Sequence, residues 1–253
     1  MPKILKVLIG LGVAAVVCVV VMWVLGAQWF AKVVSRKAAL RHPVVLVVPK
    51  PLPDTTINNT PGTDETFGAY SFEVPWKEAP KVNEYGNGGS TYAFGERMVT
   101  VYQRPPDELI AQLQKNPQNQ QNLDTLFEGD RPKTDYEFVR RILNVTPDTF
   151  TWSMSKMETM RDGMLLALKT STAPVEGAYG IFYVTTPEFH GFQYGVPEAK
   201  YAGVSVDLYN DNVLLKFTFR EGGGTPAIIP QADINRIVQS VRSSRIFRDP
   251  VDR

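Results

Sequence analysis

The chain has 253 residues, 43% of them hydrophobic, with 27 Lys and Arg against 26 Asp and Glu. Residues 1–44 hold six Lys/Arg and no acid, whereas residues 45–253 hold 21 Lys/Arg and 26 Asp/Glu, so no basic stripe beyond the first segment offers a nucleic-acid footprint. One cysteine and two separated histidines argue against a tetrahedral zinc site.

Val7 to Ala31 is a run of 25 uncharged residues. Unpaired backbone polar groups are costly in hydrocarbon, so such a run reads as a membrane-spanning helix. At 1.5 Å per residue it extends roughly 37 Å, enough to cross a core of about 30 Å with some tilt. Trp23, Trp29 and Phe30 sit toward its far end, where amphipathic rings suit headgroup depth. A cleaved secretory signal ending near Leu25-Gly26-Ala27 is the alternative, but the apolar region of such a signal usually spans about 7–15 residues. Residues 1–6, with Lys3 and Lys6, are a short basic head. Lys32, Arg36, Lys37 and Arg41 follow the run and slightly favour a cytoplasmic C-terminal domain. Long domains, however, translocate largely regardless of charge, and a short basic head before one anchor commonly stays inside. The C-terminal domain is therefore placed on the extracytoplasmic side. Cys18 lies within the run, so redox compartment has no vote.

Residues 32–66 read as a basic juxtamembrane segment followed by a Pro-rich linker. Pro43, Pro49, Pro51, Pro53 and Pro61 remove amide donors and fix φ. Between them Val44–Val48 is apolar enough for a strand docked on the domain edge. Residues 67–253 form one domain large enough for a real core.

Within that domain, Tyr70, Phe72 and Val74 alternate with polar residues and predict a strand. Asn83 to Ser90 reads as a hairpin loop, and Thr91–Gln103 alternates again, with Gly95 as a bulge or turn. Pro105-Pro106 opens a helix with Leu109, Ile110 and Leu113 on one face. Gln118–Gln121 reads as a loop. Thr134-x-x-Glu137 is a capping box before Phe138, Val139, Ile142 and Leu143 at helical spacing. Ser155-x-x-Glu158 is a second box, followed by a stripe of Met157, Met160, Met164 and Leu168. Asp162-Gly163 interrupts that stripe; one helix is favoured over a turn followed by a strand. Strands are expected over Tyr179–Thr185, Phe189–Tyr194, Ala202–Tyr209 and Val213–Phe219, the last two joined by a hairpin at Asn210-Asp211-Asn212. Gly222–Gly224 ends the sheet, and Pro230 opens a closing helix with Ile234, Ile237, Val238 and Val241 inward. Strands joined by hairpins, with helices grouped apart from them, give an α+β fold: a single N-terminal transmembrane helix, then one domain whose antiparallel sheet is packed by helices.

Tyr70-x-Phe72-x-Val74-Pro75-Trp76 resembles the opening strand of the PsbP/Mog1-like α/β/α sandwich, and the closing helix from Ile234 to Val241 resembles its last element. The resemblance covers those two ends of the domain. It implies that fold, with binding and assembly roles, and carries no catalytic residue over.

The candidate site is a small polar-aromatic ligand patch. On one strand, His190, Phe192 and Tyr194 share a face, and Glu188 joins them if the strand begins early. The ordinary alternative is a half-buried strand with a hydrogen-bonded histidine. His42, beside the bilayer, reads as solvated. No Gly-x-Ser-x-Gly elbow or phosphate-cradling glycine spacing occurs in the chain. Carboxylates such as Asp207 and Asp211 fit surface or turn positions. No catalytic residue, cofactor or metal ligand is assigned. The sequence thus reads as a single-pass, membrane-anchored, non-enzymatic module of the cell envelope, held in the bilayer by residues 7–31 and binding a protein partner or small ligand. Two alternatives are an anchored hydrolase with His190 as base, and a lipid carrier whose aromatic residues 179–194 line a cavity of at least ~300 Å³.

Overall fold

An eight-stranded sheet forms the middle layer of the protein. The computed structural model describes residues 26, 31–53, 61–127, 129–172, 180–197, 203–221 and 229–244. A helix over residues 31–41 (α1) leads into a 3-10 turn, Pro43–Leu46, and a short strand β1, Lys50–Pro51. Five strands follow: β2 Thr63–Phe67, β3 Tyr70–Val74, β4 Lys81–Tyr85, β5 Gly89–Phe94 and β6 Arg97–Arg104. Four helices come next: α2 Glu108–Gln114, α3 Pro117–Phe127, α4 Asp135–Asn144 and α5 Lys156–Thr172. The chain then returns to strands β7 Ile181–Thr185, β8 His190–Tyr194, β9 Val204–Asn210 and β10 Val213–Glu221, and closes with α6 Gln231–Gln239 and β11 Arg242–Ser243.

Strand order in the large sheet is β1-β7-β8-β9-β10-β6-β5-β4, and a small sheet runs β11-β3-β2. Every pairing is antiparallel except β1 with β7. Alternation along each strand sends side chains to two cores. On one face Val206, Leu208, Leu215 and Phe217 pack with Phe72 and Val74 of β3 and Ile234, Ile237 and Val238 of α6. On the other, Ile181, Phe192, Tyr194, Tyr209 and Leu214 meet Ile110, Phe127, Phe138, Ile142 and Leu165 of the helical layer. Each such fully buried large side chain contributes about 1.5–3 kcal/mol relative to exposure. The α+β class is therefore seen, with helices on both faces of the sheet.

Local signals explain several elements. The Thr134 hydroxyl accepts the Glu137 N–H at 3.2 Å, and Ser155 and Glu158 exchange two bonds of 3.1 and 2.7 Å. The second box starts a helix that runs without a break past Asp162-Gly163. Its buried face includes Leu165, Leu166 and Lys169; of the expected stripe, Met164 and Leu168 pack against this core, whereas Met160 is 62% exposed. Asn210 Oδ1 accepts the N–H groups of Asn212 and Val213 at 2.9 and 3.0 Å, closing a two-residue hairpin.

Several expectations are corrected. Residues 32–66 do not all lie outside the domain: Ala39, Val44 and Val45 are in the helical-layer core, residues 44–48 dock through a 3-10 turn rather than as a strand, and β1 pairs with β7. The packed domain therefore begins well before Phe67, and β2 starts at Thr63. Gln118–Gln121 is helical, within α3; Asn116 Oδ1 accepts the Gln118 N–H at 2.9 Å and Pro117 follows it, a helix start that the polar composition masks. Asn83 to Ser90 holds most of β4 and the start of β5, not only a loop; Gly95, with φ of +58°, is the expected turn, here between β5 and β6. Among the described residues no helix is long and apolar enough to cross a membrane, and the run 7–31 lies outside them apart from Gly26 and Ala31. Gly222–Gly224 also lies outside them.

Lys169 fastens the N-terminal segment to the helices. Its side chain is 0% exposed, and Nζ donates to the carbonyls of Val47, Leu143 and Val145 at 2.7, 2.7 and 2.8 Å. Burial pushes its ammonium down to about 8. The three carbonyls, two of them just at the end of α4, hold the charge where the helix dipole favours a cation.

Candidate functional cleft

The hairpin register places Asp207 opposite Lys216, and on the other side Asp207 pairs with Phe192 of β8. Val206 and Leu208 face the α6 core, so Asp207 and Tyr209 point to the opposite, helical side of the sheet. There Asp207, Lys216, Tyr194, Ser205, Tyr102, Phe217 and Thr218 line a cleft of about 140 Å³. Asp207 is 8% exposed, and its Oδ2 lies 3.2 Å from Lys216 Nζ. The Tyr209 hydroxyl supplies a second bond to the same carboxylate.

Burial raises the Asp207 carboxyl above its ordinary range, opposed by the charge and hydrogen bond of Lys216 and by the Tyr209 bond. The same burial, together with the Asp207 charge, pushes the Tyr194 and Tyr209 hydroxyls upward, so both remain protonated donors. Lys216 is 41% exposed, so water screens the pair and its Coulombic worth is small. The cleft thus presents an ammonium, a desolvated carboxylate and hydroxyls together. That combination can bind a polar group by complementary hydrogen bonds.

Two close approaches shape this surface. Gly191 lies against the β9 backbone, where a Cβ would collide with the Asp207 carbonyl oxygen. Gly89 leaves room for the Tyr102 ring, which crosses it at the cleft rim. Tyr102 stacks on Tyr85 with centroids 6.3 Å apart and planes 15° apart. Beside them the Tyr85 hydroxyl donates to Thr91 Oγ1 at 3.1 Å, which is 2.8 Å from Thr100 Oγ1. A polar ladder therefore continues across β4, β5 and β6.

The expected patch on β8 is placed in three environments. His190, Phe192 and Tyr194 do share a face, under Tyr136 of α4, whose ring lies 5.3 Å from Phe192 and 5.9 Å from His190. Phe192 is fully buried and serves packing. His190 is exposed, with ring contact to Tyr136. Tyr194 alone reaches the cleft. Glu188 precedes the strand and turns away: its Oε2 accepts the Ser243 N–H and hydroxyl at 3.0 and 2.8 Å, tying β11 in place. Phe189 and Phe192 belong to different cores, so the aromatics of 179–194 do not surround one cavity.

Asp207, Lys216, Tyr209, Ser205 and Tyr102 escape the sequence reading. A signal for the first pair exists: once Asn210 is opposite Val213, antiparallel register puts Asp207 opposite Lys216. Among the described residues no group of three His, Cys, Asp or Glu side chains is placed to hold a metal ion. Compared with known proteins, the chain matches no family model, no curated protein and no solved structure.

Proposed function

We propose that the chain is a single-pass membrane-anchored module of the cell envelope that binds a protein partner or small ligand without transforming it. Residues 7–31 hold it in the bilayer, and the cleft at Asp207 and Lys216 is its recognition point. The observation that supports this most is the desolvated Asp207 carboxylate, held between Lys216 and Tyr209 beneath a half-exposed polar surface. A cleft of about 140 Å³ suits one side chain or a small polar headgroup rather than a drug-sized ligand. The layered architecture is also consistent with the binding roles that the PsbP/Mog1-like resemblance implies. The exposure of His190 gives little support to a histidine base. The extracytoplasmic placement is tested by a reporter fused after Arg253.

A photo-crosslinking amino acid at Tyr102, in the full chain and its own membranes, tests the cleft. A discrete adduct that is lost on Lys216→Met, and absent when the crosslinker replaces exposed Glu84, is expected. Adducts indifferent to Lys216, or turnover of a substrate by the purified chain, would overturn the proposal.

A further inference from the structure

We infer that the outer face of α1 docks on an anionic phospholipid surface and holds the domain against the bilayer in one orientation. This rests on the membrane-anchor reading of residues 7–31. Three observations carry it.

The first is the lack of a spacer. The described part of α1, from residue 31, directly follows the uncharged run in sequence, and it is part of the folded body. Ser35 and Ala39 are buried, Arg36 bonds Asp148 at 3.1 Å, Val44 and Val45 enter the core, and Lys169 grips the Val47 carbonyl. A spanning segment needs about 20 apolar residues, so the last residues of the run and α1 fall at the interface.

The second is the face that α1 leaves uncovered. At about 100° per residue, Val33, Lys37, Leu40 and Arg41 lie opposite Ser35 and Ala39, with Val34 and the Asp148-bound Arg36 on the flanks. Leu40 is 85% exposed, Val34 is 46% exposed, and Arg36, Lys37 and Arg41 are exposed. Apolar residues between cations are what an interfacial helix uses: the former dip among acyl chains while the latter meet phosphates. An upright α1 would leave Leu40 and its basic neighbours in water.

The third is charge complementarity. No Asp or Glu occurs before Asp54, whereas the rest of the chain is acid-rich. The acid-rich body therefore repels anionic headgroups, while the face carrying α1 attracts them.

The test uses the full chain with Cys18→Ala, reconstituted in vesicles of phosphatidylcholine and phosphatidylglycerol carrying lipid-borne quenchers. A fluorophore is placed at Leu40→Cys or at Thr66→Cys, an exposed position on β2 beyond the opposite face of the large sheet. The label at position 40 should be quenched several-fold more than that at 66. Lys37→Glu with Arg41→Glu, or vesicles of phosphatidylcholine alone, should erase the difference while carbonate leaves the chain in the vesicles. Equal quenching at both positions, or quenching at 40 that ignores charge reversal, overturns the docking face while the anchor stands. Release of the chain by carbonate overturns the anchor and the docking face together.

Discussion

Replacing Lys169 tests how the N-terminal segment is joined to the domain. Lys169→Met keeps most of the apolar stem but leaves three buried carbonyls without their donor. Stranding a buried acceptor costs about 1–3 kcal/mol, while removing a buried ammonium returns part of its desolvation penalty. A net loss of about 2–4 kcal/mol is expected, with Lys169→Ala somewhat worse because it adds a cavity. The pH dependence is the sharper readout. Burial lowers the Lys169 ammonium from 10.5 to about 8. Below pH 8 both the folded and unfolded chains carry the proton. Between about 8 and 10.5 the unfolded chain binds more protons, so the lysine's contribution to stability rises with pH. The full rise is roughly 3 kcal/mol. Urea denaturation of the full chain in detergent at pH 7, 9 and 10.5 should show this rise in the parent and not in Lys169→Met. Parallel pH profiles for the two proteins would refute a desolvated Lys169.

Three further outcomes follow from the same contacts. Lys216→Met removes the charge that opposes protonation of Asp207, so the carboxyl should titrate at higher pH, read by carbon-13 NMR of labelled aspartate. Because a folded-state carboxyl raised above its unfolded value loses stability as pH rises through that window, this variant should be the more alkali-sensitive between pH 4 and its new midpoint. Gly191→Ala should cost at least about 3 kcal/mol in thermal or urea unfolding, since its methyl meets the backbone of Asp207 rather than a side chain able to move. Thr134→Ala should cost about 1 kcal/mol by loss of the bond to the Glu137 amide, with Thr134→Ser restoring it; a neutral Thr134→Ala would show that α4 is held by packing alone.

The elements with short-range causes were legible. Thr134 and Ser155 mark helix starts because a hydroxyl satisfies an amide three residues on, and Asn210 marks a hairpin because its carboxamide closes the turn. Strands β3, β8, β9 and β10 alternate because each has two faces to satisfy. What stayed hidden depends on distant partners. The apolar run over residues 44–48 signals docking but not its place: Val44 and Val45 enter the helical-layer core, and the Val47 carbonyl meets Lys169. α3 is polar almost throughout, with Leu123 and Phe127 as its inward residues. The cleft is half legible: Tyr194 lies on the expected face, whereas nothing local marks Asp207, which strand register sets beside Lys216 with a bond from Tyr209.

Tethering is the premise of the functional proposal, and intact mass after alkaline carbonate washing of native membranes tests it most directly. A chain that stays with the membrane and retains residues 7–31 is the expected result. A chain that washes free, or whose mass places its first residue at Gln28, would contradict it and leave the cleft on an untethered protein.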